Sequence, residues 1–300
     1  MSDYQIITDS CCDFTAQQYR DLGLKYVPLT LLYKGEAHNS FTEADELHDF
    51  YDGVRAGEMP TTSAANPENW ANAMEPALAE GKDALVLTFT SGLSATYQSA
   101  VIAAEELREK YPDRKIIVVD TLCAALGQGL LVWYACHKRD EGMSIEELAA
   151  WVEENKLKVC HEVTVDDLNH LKRGGRVSAT TALVGTMLNI KPMIRVDDEG
   201  KLLNYGKCRG RKAAMEHIVK RFGELGEGCD NETVFIAHGD CPADAAALET
   251  LLRAKHPQVK NVMTGYVGGV IGAHTGPGVL VLFFLDFLSL YSFSPADSFP

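Results

Sequence analysis

Apolar runs that alternate with helical patterns dominate the first half of the chain. Three of these runs are short segments with an apolar centre: YQIITD, DALVLTFT and KIIVVD. Each precedes a segment with helical periodicity, of which SATYQSAVIAAEELREKY is the longest. Strands that are buried on both faces are typical of parallel sheets with helical crossovers. The pattern therefore predicts a parallel α/β domain over residues 1–155.

The pattern changes after about residue 156. A hairpin is expected there, because PMIRV and KLLNYGKC flank the turn residues Asp198-Glu199-Gly200. This hairpin lies among helical segments and further strands, and 300 residues exceed what a single core usually needs. We therefore expect an α/β protein of two domains. The second is a mixed-sheet α+β domain over residues 156–290, followed by a tail at 291–300.

The acidic balance of the chain restricts its partners. It has 42 acidic and 28 basic side chains, which give a formal net charge of −14. This charge disfavours non-specific binding to nucleic acid or to an anionic membrane surface. The apolar run VLVLFFLDFLSLY is too short to span a bilayer and contains Asp286, so no stable membrane insertion is expected. Because no signal-peptide pattern follows Met1, the expected location is the cytoplasm.

The cysteines and glycines give no motif for a metal or a cofactor. The eight cysteines include no C-x-x-C pair and no zinc-type spacing with histidine. Cys11 and Cys12 are adjacent, and small residues at a tight turn explain them better than redox chemistry. A phosphate-loop motif is absent, and the glycines of GQG lack the third member of a dinucleotide fingerprint. We therefore expect neither a metal nor a cofactor.

Four polar loops are expected at the carboxyl edge of the strands, where open α/β sheets bind ligands. They are TDSCCD, PTTSAANP, TSGLSATY and DTLCAALGQG, at residues 8–13, 60–67, 90–97 and 120–129. Three of them are rich in serine and threonine and lead into a helix, whose free N–H groups favour an anion. A carboxylate or phosphate site is one interpretation. The alternative is that each hydroxyl simply caps its helix.

A histidine in an unusual setting is the next candidate. His274 lies within GGVIGAHTGPG, which we expect to be a glycine-rich loop that passes close to a ligand. Its ring could donate a hydrogen bond to a carboxylate, although a single histidine is often structural. A hydrolase is a second hypothesis, with Ser94 as nucleophile and His274 as base. Against it, Thr90 and Ser91 separate the strand from the Gly92-Leu93-Ser94 turn.

Two arginine-rich segments stand out in this acidic chain. Arg176 ends RGGR, and Arg209 and Arg211 lie where the predicted hairpin meets the next helix. Arginine clusters at loops often bind planar anions with two hydrogen bonds at once. The alternative for each is a solvated surface side chain.

Taken in order, these motifs resemble those of the DegV family of bacterial fatty-acid-binding proteins. The resemblance runs from about residue 5 to 285 and rests on TDSCCD, TTSAANP, TSGLSATYQSA, DT…GQG, LKRGGRVS, NIKPMI, GKCRGRKA and AHTGPG. It implies a long-chain fatty acid bound between two domains. Some members of the family are the binding subunit of a fatty-acid kinase. The resemblance therefore also implies that this protein is a carrier, without turnover of its own, that presents the carboxylate to the ATP-binding subunit of such a kinase.

The resemblance also implies roles for individual residues. Thr62, Ser94 and His274 would hold the carboxylate. Ser63, Gly92 and Gly276 complete the implied ligand-binding set, and Arg176, Arg209 and Arg211 would serve the kinase reaction. This chain departs from the family pattern at Ala64-Ala65, where the family has Gln-Pro, and at Ala95, where it has glycine.

Two further expectations follow from the resemblance. Asp9, Ser10 and Asp13 should form a polar turn that lines or supports the head-group site. The uncharged helix predicted at 178–190 could form a tunnel wall or ordinary core.

Overall fold

The computed structural model describes residues 4–41, 43–177, 189–229 and 231–286. The strands are β1 Tyr4–Asp9, β2 Lys25–Val27, β3 Thr30–Tyr33, β4 Glu36–Asn39, β5 Thr61–Ser63, β6 Asp83–Thr88, β7 Ile116–Asp120, β8 Val159–Thr164, β9 Ile190–Val196, β10 Leu202–Arg209, β11 Thr233–His238, β12 Asn261–Tyr266 and β13 Leu280–Leu285. The helices are α1 Ala16–Asp21, α2 Ala44–Arg55, α3 Pro67–Ala79, α4 Thr96–Lys110, α5 Leu126–Asp140, α6 Ile145–Asn155, α7 Asn169–Arg173, α8 Arg211–Leu225, α9 Pro242–Lys255 and α10 Gly269–Thr275. The predicted tail and most of the predicted helix at 178–190 lie outside the described residues.

The first half of the chain contains a four-stranded parallel sheet in the order β2-β1-β6-β7. Its two central strands are almost wholly buried, as Ile6, Ile7, Leu85 and Val86 illustrate. Helices follow β1, β6 and β7 along the chain, whereas β2 is followed by the strands β3 and β4. The predicted parallel α/β arrangement is thus confirmed.

The second half contains a six-stranded mixed sheet in the order β10-β9-β8-β13-β11-β12. The pair β11–β12 is parallel and the other pairs are antiparallel, including the predicted hairpin β9–β10. Helices α8 and α9 pack on one face of this sheet through a cluster of apolar side chains that includes Ile218, Phe222, Leu248 and Phe284. The predicted mixed sheet is therefore confirmed as well.

Helix α5 lies between the two large sheets. Its apolar side chains, such as Leu126, Leu130 and Leu131, share one buried cluster with Ile6 of β1 and Phe283 of β13. Burial on both sides explains why its sequence is apolar around most of the helix. None of the helices in the described part of the chain is both long and apolar enough to cross a bilayer.

Two expectations about loops were wrong. Residues 60–67 do not follow a strand of the parallel sheet, because Thr61–Ser63 forms strand β5 of a separate antiparallel sheet, β4-β3-β5. The glycine-rich segment around His274 is helix α10 rather than a loop. Glycine is a poor helix former, but a β-carbon on Gly272 would lie 2.5 Å from the Tyr51 hydroxyl. Close packing against α2 therefore requires small residues in this helix.

Candidate functional site

A cavity of about 280 Å³ lies between the parallel and the mixed sheets. Most of its lining is apolar and comes from both halves of the chain. The lining residues are Leu29, Thr62, Ser63, Ala64, Phe89, Leu93, Ser94, Ala95, Ala124, Ala125, His161, Val163, Leu171, Arg176, Ile194, Val196, Leu202, Val267, Val270, Ile271, His274, Thr275, Val279, Val281 and Phe283. A concave, mostly apolar space with a few polar groups is the usual form of a small-molecule site.

Thr62 and His274 meet at the cavity from distant parts of the sequence. Thr62 is the middle residue of β5, and His274 belongs to the last turn of α10, which packs against that small sheet. The Thr62 Oγ1 and His274 Nε2 atoms are 2.8 Å apart and share a hydrogen bond. The structure therefore brings together two of the residues that the resemblance implied.

His274 is neutral at ordinary pH. Burial, and to a smaller extent the charge of Arg176, lowers the pKa of His274 to about 4. Its Nδ1 atom is buried and has no hydrogen-bond partner among the described residues. Gly174 makes room for this atom, since a β-carbon there would lie 2.2 Å from Nδ1. The imidazole is thus a neutral hydrogen-bonding group packed between Thr62 and the backbone of Gly174.

Ser94 adds a second hydroxyl to the cavity wall. Its Oγ atom is 2.8 Å from Thr96 Oγ1 and accepts a hydrogen bond from the Thr96 N–H at 3.3 Å. Thr96 is the first residue of α4, so Ser94 lies at the positive end of that helix. The position suits an anionic group, although the bond from the Thr96 N–H also fits the alternative that this hydroxyl serves the start of the helix.

Arg176 is the cation of the cavity lining. Its Nε atom donates to the Leu93 carbonyl at 3.2 Å, and its Nη1 donates to the Gly174 carbonyl. Burial lowers the pKa of Arg176, but a guanidinium stays charged in proteins. One positive charge is therefore fixed beside Ser94 and His274 by two backbone carbonyls.

Gly92 and Gly276 lie next to the cavity without lining it. A β-carbon on Gly92 would lie 2.5 Å from the Glu199 carbonyl oxygen, so Gly92 permits the β9–β10 turn to pack on this loop. Gly276 has a φ of 74° and packs against the His170 ring. Both glycines thus shape contacts around the cavity.

The other two arginines are in different surroundings. Arg211 Nε contacts Asp244 Oδ2 at 2.8 Å, and Arg211 Nη1 lies 3.7 Å from Asp166 Oδ1. Arg209, the last residue of β10, is exposed and forms no ion pair with the residues that the structure describes. Of the three arginines, Arg176 alone is a lining residue of the cavity.

The polar turn after β1 supports the cavity from behind. Asp9 accepts hydrogen bonds from the N–H groups of Cys11 and Phe89, at 2.9 and 2.7 Å. Ser10 Oγ accepts one from the Leu29 N–H at 3.0 Å. Phe89 and Leu29 line the cavity, whereas Asp9 and Ser10 do not. Burial raises the pKa of Asp9 to about 6.

Asp13 extends this support to α10. A β-carbon on Gly268, the residue directly before that helix, would lie 2.5 Å from Asp13 Oδ1, so Asp13 packs against the start of α10. Burial raises the pKa of Asp13 well above the usual range. The turn therefore holds the start of the helix that ends near His274.

His161 is a cavity residue that sequence reasoning missed. Its Nδ1 donates to the Val159 carbonyl at 2.9 Å, and its Nε2 accepts from the Ala124 N–H at 3.0 Å. This assignment follows because an N–H must donate and a carbonyl must accept. Burial lowers the pKa of His161 to about 4. A histidine within the predicted strand VCHEV was the signal available in the sequence.

The remaining lining gave no comparable signal. Val163, Ile194 and Val281 alternate along strands in the same way as ordinary core residues. Apolar positions that face a cavity and those that face a packed core have the same period. The sequence therefore predicted the polar end of the cavity better than its walls.

The chemistry of the cavity is that of binding a molecule with one acidic end. Neutral donors and a single guanidinium can hold a carboxylate, and apolar walls can surround a long chain. A serine hydrolase would need Ser94 beside His274, but their hydrogen bonds go to Thr96 and Thr62 instead.

A group of possible metal ligands lies away from the cavity. His48, Asp52 and Asp240 come close together on the surface. Arg55 pairs with both Asp52 and Asp240, so a cation of the protein already balances these carboxylates.

Comparisons with known proteins agree with this fold. A family model described as "Uncharacterised protein, DegV family" matches residues 3–286. A DegV domain-containing protein from Clostridium perfringens is 44% identical over 286 residues, which cover 95% of this chain and 98% of the relative. A DegV family protein from Thermus thermophilus, whose structure is described as fatty acid binding, has a TM-score of 0.85 at 33% identity, covering 95% and 99% of the two chains. The structure of DegV from Bacillus subtilis, described as a fatty acid binding protein, has a TM-score of 0.82 at 27% identity, covering 95% and 100%.

Proposed function

Because the chain belongs to the DegV family, we propose that it binds a long-chain fatty acid in the cavity between its two large sheets. The observation that carries this proposal is the uneven lining of the cavity. Thr62, Ser94 and His274 supply neutral polar groups, while most of the wall is apolar. Fatty-acid binding by the relatives from T. thermophilus and B. subtilis supports it.

Physical magnitudes favour a lipid over a small acid. Burying a methylene stabilises a complex by about 0.8 kcal/mol, so roughly ten contribute about 8 kcal/mol. A hydrogen bond to a charged head group adds only about 1.5–3 kcal/mol. The acyl chain would therefore supply most of the affinity. The polar groups of the protein would fix the position of the carboxylate.

We propose further that the protein is a carrier that presents this carboxylate to a fatty-acid kinase in the cytoplasm. Arg176 would face the head group, and the exposed Arg209 would face the ATP-binding subunit. Arg211, in its ion pairs with Asp166 and Asp244, would stabilise the segment that carries Arg209. In this proposal the carrier itself performs no turnover, and the acyl phosphate forms only when the kinase and ATP are present.

Mass spectrometry of an organic extract of the purified protein tests the first proposal. We expect a fatty acid in close to stoichiometric amount. Incubation with oleate or palmitate should load any empty protein. Absence of fatty acid both before and after this incubation would contradict the proposed function.

A further inference from the structure

His161 and Phe283 face each other at one end of the cavity wall. They are opposite residues of the antiparallel pair β8–β13. Val163 is opposite Val281, two residues further along each strand. The rings of His161 and Phe283 are 5.2 Å apart between centroids and nearly perpendicular. All four side chains line the cavity. Because alternate residues of a strand share one face, they form a continuous wall.

Helix α10, which carries His274, leads towards the other end of this wall. Val279 lines the cavity and lies between β13 and this helix. Gly278 packs against Asp166 and Gly276 against His170, both beyond the end of β8 at Thr164. Val279 and Phe283 are four positions apart, which corresponds to about 13 Å along a strand. His161 and Phe283 are therefore far from the head-group end.

The backbone of α5 closes the cavity behind this pair. A β-carbon on Gly127 would lie 2.3 Å from His161 Nε2 and 2.7 Å from Phe283 Cδ1. No space therefore remains between the two rings and the backbone of α5 at Gly127. The hydrogen bonds to Val159 and Ala124 fix the imidazole in one orientation. The end wall is therefore backed by the α5 backbone, and its His161 side is held in place by hydrogen bonds.

We propose that His161 and Phe283 set the longest acyl chain that this protein accepts. The inference rests on the proposed function and concerns its specificity. A chain whose carboxylate is held near Thr62 and His274 would extend along Val279 and Val281 and end against the two rings. A longer chain would have to displace the rings or pull its carboxylate away from the polar groups.

The test is a series of dissociation constants for saturated fatty acids from decanoic to eicosanoic acid. For the natural protein we expect affinity to rise about fourfold per methylene and then to stop rising at one chain length. Phe283→Val enlarges the far end and should move this limit to longer acids. Ala124→Val fills space at the same end and should move the limit to shorter acids.

Val281→Ala is the matched control, because it alters the same wall nearer its middle. It should weaken the binding of all the acids and leave the limit unchanged. The inference is overturned if the limit stays in place in both Phe283→Val and Ala124→Val, or if Val281→Ala moves it equally. If the natural protein binds none of the acids, the proposed function itself fails. If Phe283→Val does not fold, the chain-length limit of Ala124→Val alone tests the inference, and an unchanged limit in that variant overturns it.

Discussion

Thr62 and His274 are 212 positions apart in the sequence, yet a 2.8 Å hydrogen bond joins their side chains at the cavity. This bond connects the small antiparallel sheet to α10. It also leaves His274 Nδ1 buried without a partner among the described residues. Removing one member of such a buried pair lowers the free energy of unfolding, because the remaining polar group is left without a hydrogen-bond partner.

We expect Thr62→Val to lower the free energy of unfolding by about 1–3 kcal/mol, the usual cost of one unsatisfied buried group. His274→Ala should cost a similar amount or more. The double variant should cost less than the sum of the two, because each change alone breaks the same bond. Chemical denaturation of the four proteins measures this coupling. Thr61→Val, on the exposed neighbour in β5, is the control, and additive single effects would contradict the prediction.

Gly92→Ala should destabilise the protein by about 1–3 kcal/mol through overpacking. The added methyl group would lie 2.5 Å from the backbone oxygen of Glu199, which cannot rotate away as a side chain could. Thermal or urea unfolding measures the change. The matched control is Gly206→Ala, whose methyl group would meet only Met193 Cβ at 3.8 Å. Equal stability of the two variants would show that the β9–β10 turn moves away from the added methyl group without lowering the free energy of unfolding, and would contradict the prediction.

The buried His161 should make stability depend on pH. Its pKa of about 4 in the folded protein lies below the usual 6.5, so the unfolded chain binds a proton first as pH falls. The stabilising contribution is thus complete above about pH 6.5 and is lost as the pH falls towards 4. Between pH 7 and pH 5 the loss should be about 2 kcal/mol.

Comparison with His161→Gln isolates this contribution, since glutamine can donate and accept but does not titrate in this range. The unfolding free energy of the natural protein should fall more between pH 7 and pH 5 than that of the variant. Asp9 acts in the opposite direction, because its raised pKa of about 6 favours the folded state at low pH. Both proteins share this effect of Asp9, so it cancels in the comparison. Identical pH profiles would contradict the prediction.

The two large sheets could be predicted because their signals are local. Ile6-Ile7 and Leu85-Val86 are apolar runs that only a strand buried on both faces explains well. The hairpin at Asp198-Glu199-Gly200 likewise follows from turn residues between two strand patterns. Periodicity and turn chemistry are properties of neighbouring residues, so a single sequence is sufficient to read them.

Helix α10 and strand β5 could not be predicted in this way. The glycines of α10 favour a loop by intrinsic propensity, and the contact of Gly272 with Tyr51 that requires them is visible only in three dimensions. Strand β5 is three residues long and exists because β3 pairs with it. Long-range contacts decided both elements, and the position of Thr62 and His274 at the cavity depends on them.

A fluorophosphonate probe distinguishes the carrier from the alternative hydrolase. Because the Ser94 hydroxyl is paired with Thr96 and lacks a hydrogen bond to His274, we expect no covalent labelling of Ser94. Peptide mass spectrometry after incubation with the probe is the measurement, with a known serine esterase as positive control. Labelling at Ser94 that disappears in His274→Ala would favour the hydrolase.

The division of labour between Ser94 and Arg209 gives the last prediction. Ser94 lines the cavity at the start of α4, so Ser94→Ala should weaken fatty-acid binding by about 1–3 kcal/mol, the cost of leaving one buried acceptor without its partner. Arg209 is exposed and is not a lining residue. Arg209→Ala should therefore bind the lipid normally and yet impair acyl-phosphate formation with a fatty-acid kinase and ATP.

Both variants need the same two measurements, lipid affinity and kinase-coupled phosphorylation at saturating lipid. Lys207→Ala is the matched control for Arg209→Ala, because it removes an exposed cation from the same strand, β10. If phosphorylation depends on Arg209 itself, Lys207→Ala should retain most of it. A loss of lipid affinity in Arg209→Ala as large as that in Ser94→Ala would assign the arginine to the head-group site. Equal losses of phosphorylation in the Lys207 and Arg209 variants would instead indicate a general effect of positive charge on the encounter with the kinase.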